Sequence, residues 1–147
     1  MEPDDPLRIR LEIETLLNDY WHEVDTNWGE HAHEYFVADG VFRNSVGRAR
    51  VGRDEIREFY HSRQARGPRI ARHVVSNLRV LPASGDEVTS QWILQIFAAD
   101  GEPMLPSEPA ILVADVTDVC RREPDGRWRY VSRNIVGLFK GATPTTT

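Results

Sequence analysis

The sequence is poor in cysteine, and it lacks both a basic excess and a long apolar run. Cys120 is the single cysteine, so no internal disulfide can form, which is typical of a protein in a reducing cytoplasm. The net charge is -5, whereas a nucleic-acid surface needs clustered basic residues. No apolar run could cross a bilayer, and the polar N-terminus lacks a secretory signal pattern. These absences predict a cytoplasmic protein that binds neither nucleic acid nor membrane.

Several common catalytic motifs are also missing from the chain. It has no phosphate-binding glycine loop and no recognisable serine or cysteine triad. His31 and His33 stand two positions apart on a predicted helix, so their side chains diverge and make a poor metal-ligand pair. We therefore expect no metal site and no cofactor.

Length and composition fit one globular domain. The 147 residues are 40% hydrophobic and 28% charged, an ordinary balance for a single core. We assign residues 1–140 to this domain and expect residues 141–147 to form a disordered tail.

Helical patterns occupy the first half of the chain. Asp5-Pro6 predicts a helix start, and apolar residues at helical spacing continue to Val24. The segment Asn27–Glu30 resembles a capping box and predicts a short second helix, while Gly52–Glu55 leads into a third. Near the end of that third helix four arginines form a basic run, which is more typical of a solvated helix end and loop than of a binding patch. They are Arg63, Arg66, Arg69 and Arg72.

Strand patterns follow from residue 71 onward. We place a short strand at 41–44 and four long strands at 72–81, 87–98, 110–122 and 128–139. Helices followed by turn-linked strands predict an α+β fold. Long strands with apolar residues on both faces favour a curved sheet around a cavity, with the helices across its open end, giving a cone.

Asp25 and His73 are the candidate chemical pair. Asp25 closes the first helix and His73 opens the first long strand. A carboxylate at a helix C-terminus is mildly unfavourable against the helix dipole, which indicates another purpose. If helix and strand pack together, the carboxylate can orient the imidazole and stabilise the imidazolium, which makes a general-base dyad.

Polar residues on the predicted strands are candidates for substrate binding. Strand alternation places Asn77 on the face of His73, and it places Ser132 and Asn134 on the face of Tyr130. These three side chains could hydrogen-bond a ligand, or they could satisfy backbone groups and water.

Two tryptophans and one arginine complete the candidate residues. Trp21 and Trp92 are most simply core residues, although an aromatic wall would suit a ring-shaped ligand. We expect Arg133 to pair with Asp115 or Asp118 across strands rather than to touch a substrate.

The order of these segments resembles the nuclear-transport-factor-like superfamily and, within it, the SnoaL-like branch. The resemblance covers about residues 7–139 and implies a cystatin-like α+β barrel with a mixed or antiparallel sheet and about three N-terminal helices around a pocket. It is carried by Val24-Asp25, Val37–Phe42, Gly52–Ile56, Arg72–Leu78 and Asp125–Arg133.

The resemblance also implies a chemistry. In dehydratase-like members, such as scytalone dehydratase and the bile-acid dehydratase, a histidine opening the first long strand pairs with an aspartate ending the first helix. His73 and Asp25 occupy those places, and Tyr20 resembles the pocket tyrosine of those enzymes. The implied activity is that of a cofactor-independent lyase or isomerase, dehydratase- or cyclase-like. Its substrate would be a small apolar oxygenated molecule such as a polyketide, terpenoid, steroid or aromatic intermediate.

Two further implications concern partners. Members of this fold self-associate through the outer sheet face, so we expect a homodimer, with a trimer as the alternative. Some relatives bind ligands without catalysis or serve as assembly subunits, like the small subunits of ring-hydroxylating dioxygenases. A non-catalytic binding or assembly role therefore remains the alternative function.

Overall fold

The computed structural model describes residues 1–145. Within them, helix α1 spans Pro6–Asn27, helix α2 spans Gly52–Gln64, and a single 3-10 turn occupies Ala32–Tyr35. None of the helices in this part of the chain is both long and apolar enough to cross a bilayer. The strands are β1 Phe36–Arg43, β2 Ala49–Val51, β3 Arg69–Val80, β4 Glu87–Asp100, β5 Leu112–Arg122 and β6 Trp128–Lys140.

All these strands belong to one mixed sheet in the order β2-β1-β6-β5-β4-β3. Only β1 and β6 pair in parallel, and the other neighbours are antiparallel. Helix α1 packs on β3 and β6, while α2 packs on β1, so the helices cover the sheet and a hydrophobic core fills the space between. The predicted α+β class is confirmed.

Helix α1 begins and faces inward as the sequence pattern predicts. The Asp5 carboxylate accepts a hydrogen bond from the Leu7 amide at 2.8 Å, and Pro6 occupies the first helical position. Its core-facing stripe is buried against the sheet because apolar residues recur every three or four positions. The buried residues are Ile9, Ile13, Leu16, Leu17, Tyr20 and Trp21.

The predicted second α-helix is wrong, and the described residues hold two α-helices rather than about three. The backbone turns at Trp28 (φ 60°) and Gly29 (φ 70°), and after one 3-10 turn Phe36 already begins β1. Gly29 lies so close to Tyr60 that a Cβ added there would stand 2.5 Å from the Tyr60 Cδ1 atom. A left-handed turn held against α2 therefore replaces the expected capping box.

Three register shifts interrupt the alternation of β3 and β6. In β3 the pairing with β4 shifts between Ser76 and Arg79, where Asn77 is left-handed with φ 57°. In β6 the pairing with β5 skips Val131 and, near the end of the strand, Leu138. Each bulge adds one residue to its strand, so side chains beyond it change faces.

The C-terminal segment lies near the start of β3. The Pro144 carbonyl accepts a hydrogen bond from Arg69 Nη2 at 3.1 Å. Residues 146 and 147 of the predicted disordered tail lie outside the described residues, and the predicted boundary at residue 140 coincides with the end of β6.

Candidate active site

Asp25 and His73 are in direct contact. Asp25 Oδ1 lies 2.6 Å from His73 Nδ1, and Asp25 Oδ2 accepts the His73 backbone amide at 2.9 Å. The two side chains are only 7% and 13% exposed, respectively. With Nδ1 donating its proton to the carboxylate, Nε2 holds the free lone pair, which is the arrangement of a general base.

One face of helix α1 holds the imidazole on two sides. Trp21 and Asp25 are four residues apart, so their side chains project from the same face. The Trp21 ring stacks on the His73 ring with centroids 4.0 Å apart and an interplanar angle of 8°. The indole ring and the carboxylate together fix the orientation of the imidazole.

The dyad borders a cavity of about 390 Å³ between the helices and the sheet. Most of its wall is apolar, and the polar groups of the dyad lie on one side. Among residues 1–145 nothing hydrogen-bonds His73 Nε2. The apolar wall includes Val24, Phe42, Phe59, Leu94, Ile96 and Ile135.

A tyrosine from α2 supplies a hydroxyl to the same cavity. Tyr60 lines the cavity, and its hydroxyl is hydrogen-bonded to the hydroxyl of Tyr20. Burial, and then the neighbouring Tyr20, raises the pKa of Tyr60 well above its usual value, so its hydroxyl keeps its proton near neutral pH. If Tyr20 donates to Tyr60, the Tyr60 proton is left for a ligand.

Tyr20 itself lies behind this hydroxyl rather than in the cavity wall. It is fully buried, and it is not among the residues that line the cavity. Tyr20 and Asp25 are five residues apart on a helix, about 140° around the axis. Asp25 therefore faces β3, while Tyr20 faces the core. Any contact of Tyr20 with a substrate would have to pass through Tyr60.

A buried ion pair between Arg133 and Asp118 lies behind the Trp21 side of the site. Arg133 donates from Nε and Nη2 to the Asp118 carboxylate at 2.8 and 2.9 Å, in line with the predicted cross-strand pair. The Arg133 guanidinium carbon lies 4.2 Å from the Tyr130 ring centroid, 4.5 Å from that of Tyr20 and 5.0 Å from that of Trp21. The Trp21 ring, which stacks on His73, thus packs against a charged and fully buried guanidinium group.

Four of the predicted substrate-binding residues do not line the cavity. Asn77 is exposed, because the bulge in β3 turns it away from the face of His73. Asn134 is exposed and Ser132 lies outside the cavity lining, because the bulge at Val131 turns Arg133 inward instead. The predicted inward facing of these polar residues was wrong.

The two tryptophans differ in their position relative to the cavity. Trp21 borders the cavity as predicted for an aromatic wall, although its role in binding stays a prediction. Trp92 is 2% exposed and donates its indole N–H to Asp118 Oδ2 at 2.8 Å. Its polar atom is therefore satisfied within the buried layer beneath the site rather than by a ligand.

The basic run was interpreted wrongly for two of its members. Arg63 and Arg69 line the cavity, and their side chains are only 11% and 12% exposed. Arg66 and Arg72 are exposed, as a solvated face requires, although Arg72 also borders the cavity. Sequence reasoning also missed Tyr60, because an apolar stripe on a short helix does not distinguish a core hydroxyl from one that faces a cavity.

No set of three or more histidine, cysteine, aspartate or glutamate side chains converges within residues 1–145 in a way that could hold a metal ion. The polar residues that line the cavity include instead the carboxylate–imidazole pair, a tyrosine, Asn44 and three arginines.

Comparison with known proteins agrees with this architecture. The model of the family described as "SnoaL-like domain" matches residues 5–134. No curated protein matches the chain. One similar solved structure is that of a Novosphingobium aromaticivorans protein provisionally named a scytalone dehydratase. It has a TM-score of 0.80 and 20% identity, and the match covers 95% of this chain and 90% of that one.

Two other solved structures are similar. ActVI-ORFA from Streptomyces coelicolor has a TM-score of 0.77 and 19% identity, with 91% of this chain and 99% of that one covered. A Catenulispora acidiphila protein in complex with S-DNPA has a TM-score of 0.73 and 22% identity, with 89% of this chain and 94% of that one covered. At these identities the likeness shows the fold alone.

Proposed function

Because the chain belongs to the SnoaL-like domain family, we propose that it is a cofactor-independent lyase or isomerase of the dehydratase or cyclase type. The observation that carries the proposal is the 2.6 Å contact between Asp25 and His73 at the edge of a mostly apolar cavity. One of its structural neighbours is provisionally named a scytalone dehydratase and another contains a small bound molecule, which fits a ligand-holding cavity.

The reaction begins with proton removal from a carbon next to a carbonyl group. His73 Nε2 takes this proton, and the electron pair of the broken C–H bond moves toward the carbonyl oxygen to give an enolate. The Asp25 carboxylate and the Trp21 ring stabilise the imidazolium that results. Removal of a proton from carbon requires such a stabilised base, since the carbon acid is weak.

The Tyr60 hydroxyl donates a hydrogen bond to the oxygen that gains negative charge. In a dehydration, the enolate then expels the β-hydroxyl group, which leaves as water with the proton from the imidazolium, and a carbon–carbon double bond forms. In an isomerisation, the imidazolium returns the proton to another carbon. Tyr20 acts as a positioning residue, because it holds the Tyr60 hydroxyl through their hydrogen bond.

A matched set of variants tests this mechanism. The probe is 3-hydroxy-1-tetralone, a ketone with a β-hydroxyl group, which loses water to give fluorescent 1-naphthol. We expect turnover by the wild type, and a loss of about 10²–10⁴-fold in H73N because the general base is removed. Y60F is expected to lose about 10²-fold, since one donor to the developing oxyanion is missing.

The control is H22N, the same substitution at an exposed position of α1. Circular dichroism checks that each variant is folded. If H73N turns the probe over at the wild-type rate, the mechanism is wrong. Binding of the probe without turnover by the wild type would favour the alternative of a non-catalytic ligand-binding or assembly protein.

The outer face of the sheet supports a proposed homodimer. Val74, Gln95, Val113 and Phe139 follow one another in cross-strand register, so their side chains share one face. Val74 and Phe139 on this face are exposed, as is Phe97 two residues from Gln95. Contiguous exposed apolar residues of this kind mark protein interfaces.

A further inference from the structure

Two arginines enclosed at one side of the cavity are not used by the proposed mechanism. Arg63 lies three residues after Tyr60 on α2, and Arg69 lies four residues before His73 on β3. Helical and strand periodicities place each arginine on the same face as the catalytic residue of its element. Both guanidinium side chains are close to nine-tenths buried and border the cavity.

Within residues 1–145, Asp100 is the one carboxylate in ionic contact with these arginines, and it is 80% exposed. Its Oδ1 accepts from Arg69 Nη1 at 3.3 Å, but it lies 3.8 Å from Arg63 Nη2, which is too far for a hydrogen bond. Arg63 Nη2 is buried and has no hydrogen-bond partner among the described residues. Burial, and then Arg69, lowers the pKa of Arg63 below its ordinary value, although arginine stays charged near neutral pH.

The pair therefore holds a surplus of positive charge, and Arg63 Nη2 is a buried donor without a partner, whereas Arg69 donates to Asp100 and to the Pro144 carbonyl. A buried guanidinium nitrogen without a hydrogen-bond acceptor is costly, so this position favours a ligand whose anionic group can accept from it. Arg63 and Arg69 carry two charges against one on Asp100, which leaves about one positive charge for a ligand. A carboxylate matches that charge, and its planar oxygens suit the guanidinium fork.

We propose that Arg63 and Arg69 bind a carboxylate group of the substrate, so that the substrate class is a small apolar keto acid. The proposal rests on the proposed function for the reacting end of that molecule. Arg69 stands four positions before His73, which corresponds to about 13 Å along β3. The carboxylate therefore binds at the opposite end of the molecule from the carbon that loses its proton.

Binding of two matched probes tests the arginine pair without any turnover. 2-Naphthoate and 2-naphthamide have the same ring and nearly the same shape, and only the first is charged. Calorimetric titration of the full chain should give about tenfold tighter binding of the naphthoate, the size of one charged hydrogen-bonding contact. R63Q and R69Q should each bring the ratio of the two affinities close to one.

Two further variants keep the test decisive. R57Q removes the same charge from an exposed position of α2 and should leave the ratio unchanged. D100N removes the competing carboxylate and should tighten naphthoate binding severalfold, since the surplus charge rises. Equal affinities of the two probes in the wild type, an unchanged ratio in both R63Q and R69Q, or weaker naphthoate binding by D100N would overturn the proposal.

The two proposals can fail separately. H73N should keep the wild-type preference for naphthoate, because it leaves the arginines in place. Turnover of the tetralone that survives H73N, with the preference intact, would refute the mechanism and leave the anion site standing. Loss of turnover in H73N without any arginine-dependent preference would refute the anion site alone.

Discussion

Removing the Asp118 carboxylate should destabilise this protein much more than removing a surface partner of an arginine. Asp118 and Arg133 are 1% and 0% exposed. The carboxylate accepts hydrogen bonds from Arg133 Nε at 2.8 Å, Arg133 Nη2 at 2.9 Å and Trp92 Nε1 at 2.8 Å. The substitution D118A removes all three acceptor contacts and leaves a buried cation uncompensated.

The magnitude follows from the burial of the pair. Loss of one partner from a buried ion pair costs about 3–5 kcal/mol, mostly because the remaining charge is stranded. The aromatic rings around Arg133 still stabilise its charge in D118A, by about 0.5–2 kcal/mol for such contacts. We therefore expect D118A to lower the free energy of unfolding by about 3–4 kcal/mol. The control D4A breaks the 2.8 Å pair of Asp4 with Arg122, and Asp4 is 86% exposed. Its expected cost is below about 1 kcal/mol.

Urea denaturation followed by tryptophan fluorescence measures both free energies of unfolding. A double variant, D118L with R133M, should recover part of this loss, because apolar residues can replace a buried ion pair. It should remain about 1–3 kcal/mol less stable than the wild type, since the buried Trp92 indole N–H has lost its acceptor. If D118A costs no more than D4A, the guanidinium must regain water or another partner, and the reasoning from burial fails.

Three other predictions concern the turn after α1, the last hairpin and the outer face. G29A should lower the free energy of unfolding by about 1–3 kcal/mol and reduce tetralone turnover, because the added Cβ displaces the ring of Tyr60. The control G47A also has a positive φ but lies in open space, so it should destabilise the protein less and leave turnover unchanged. The hydrogen bond from Arg129 lowers the pKa of Asp125 to about 2, so carbon NMR titration should find that midpoint, and R129Q should raise it. Because this pKa is depressed, the stabilisation is present above the unfolded value and is lost as pH falls through about 2. Analytical ultracentrifugation should find a dimer for the wild type and a monomer for F139E; a wild-type monomer would refute the proposed interface.

The long elements could be predicted because burial imposes a periodicity on them. The stripe of α1 and its Asp5-Pro6 start match the structure, and so do the four long strands to within a few residues. The contact between Asp25 and His73 could be anticipated from the resemblance, since the fold brings the end of the first helix to the start of the first long strand. Its catalytic role stays a prediction.

The rest depends on tertiary packing that no local pattern reports. Alternation cannot show an extra residue in a strand, so it placed Asn77 and Asn134 on the wrong faces. The cavity roles of Tyr60 and Arg63 depend on where α2 lies over the sheet. A basic run looks the same in sequence whether its arginines are solvated or enclosed, because only the neighbouring elements exclude water from them.

The extra residue at Val131 has a consequence for how β6 could change. Because Ser132 and Arg133 already pair with Val119 and Asp118, deleting Val131 would restore plain alternation and leave the residues beyond it on their present faces. Inserting one residue between Ser132 and Arg133 would instead move the guanidinium to the outer face, while the Asp118 carboxylate stayed behind in the interior. Lengthening this strand by one position beyond the bulge would therefore harm the protein more than shortening it at the bulge.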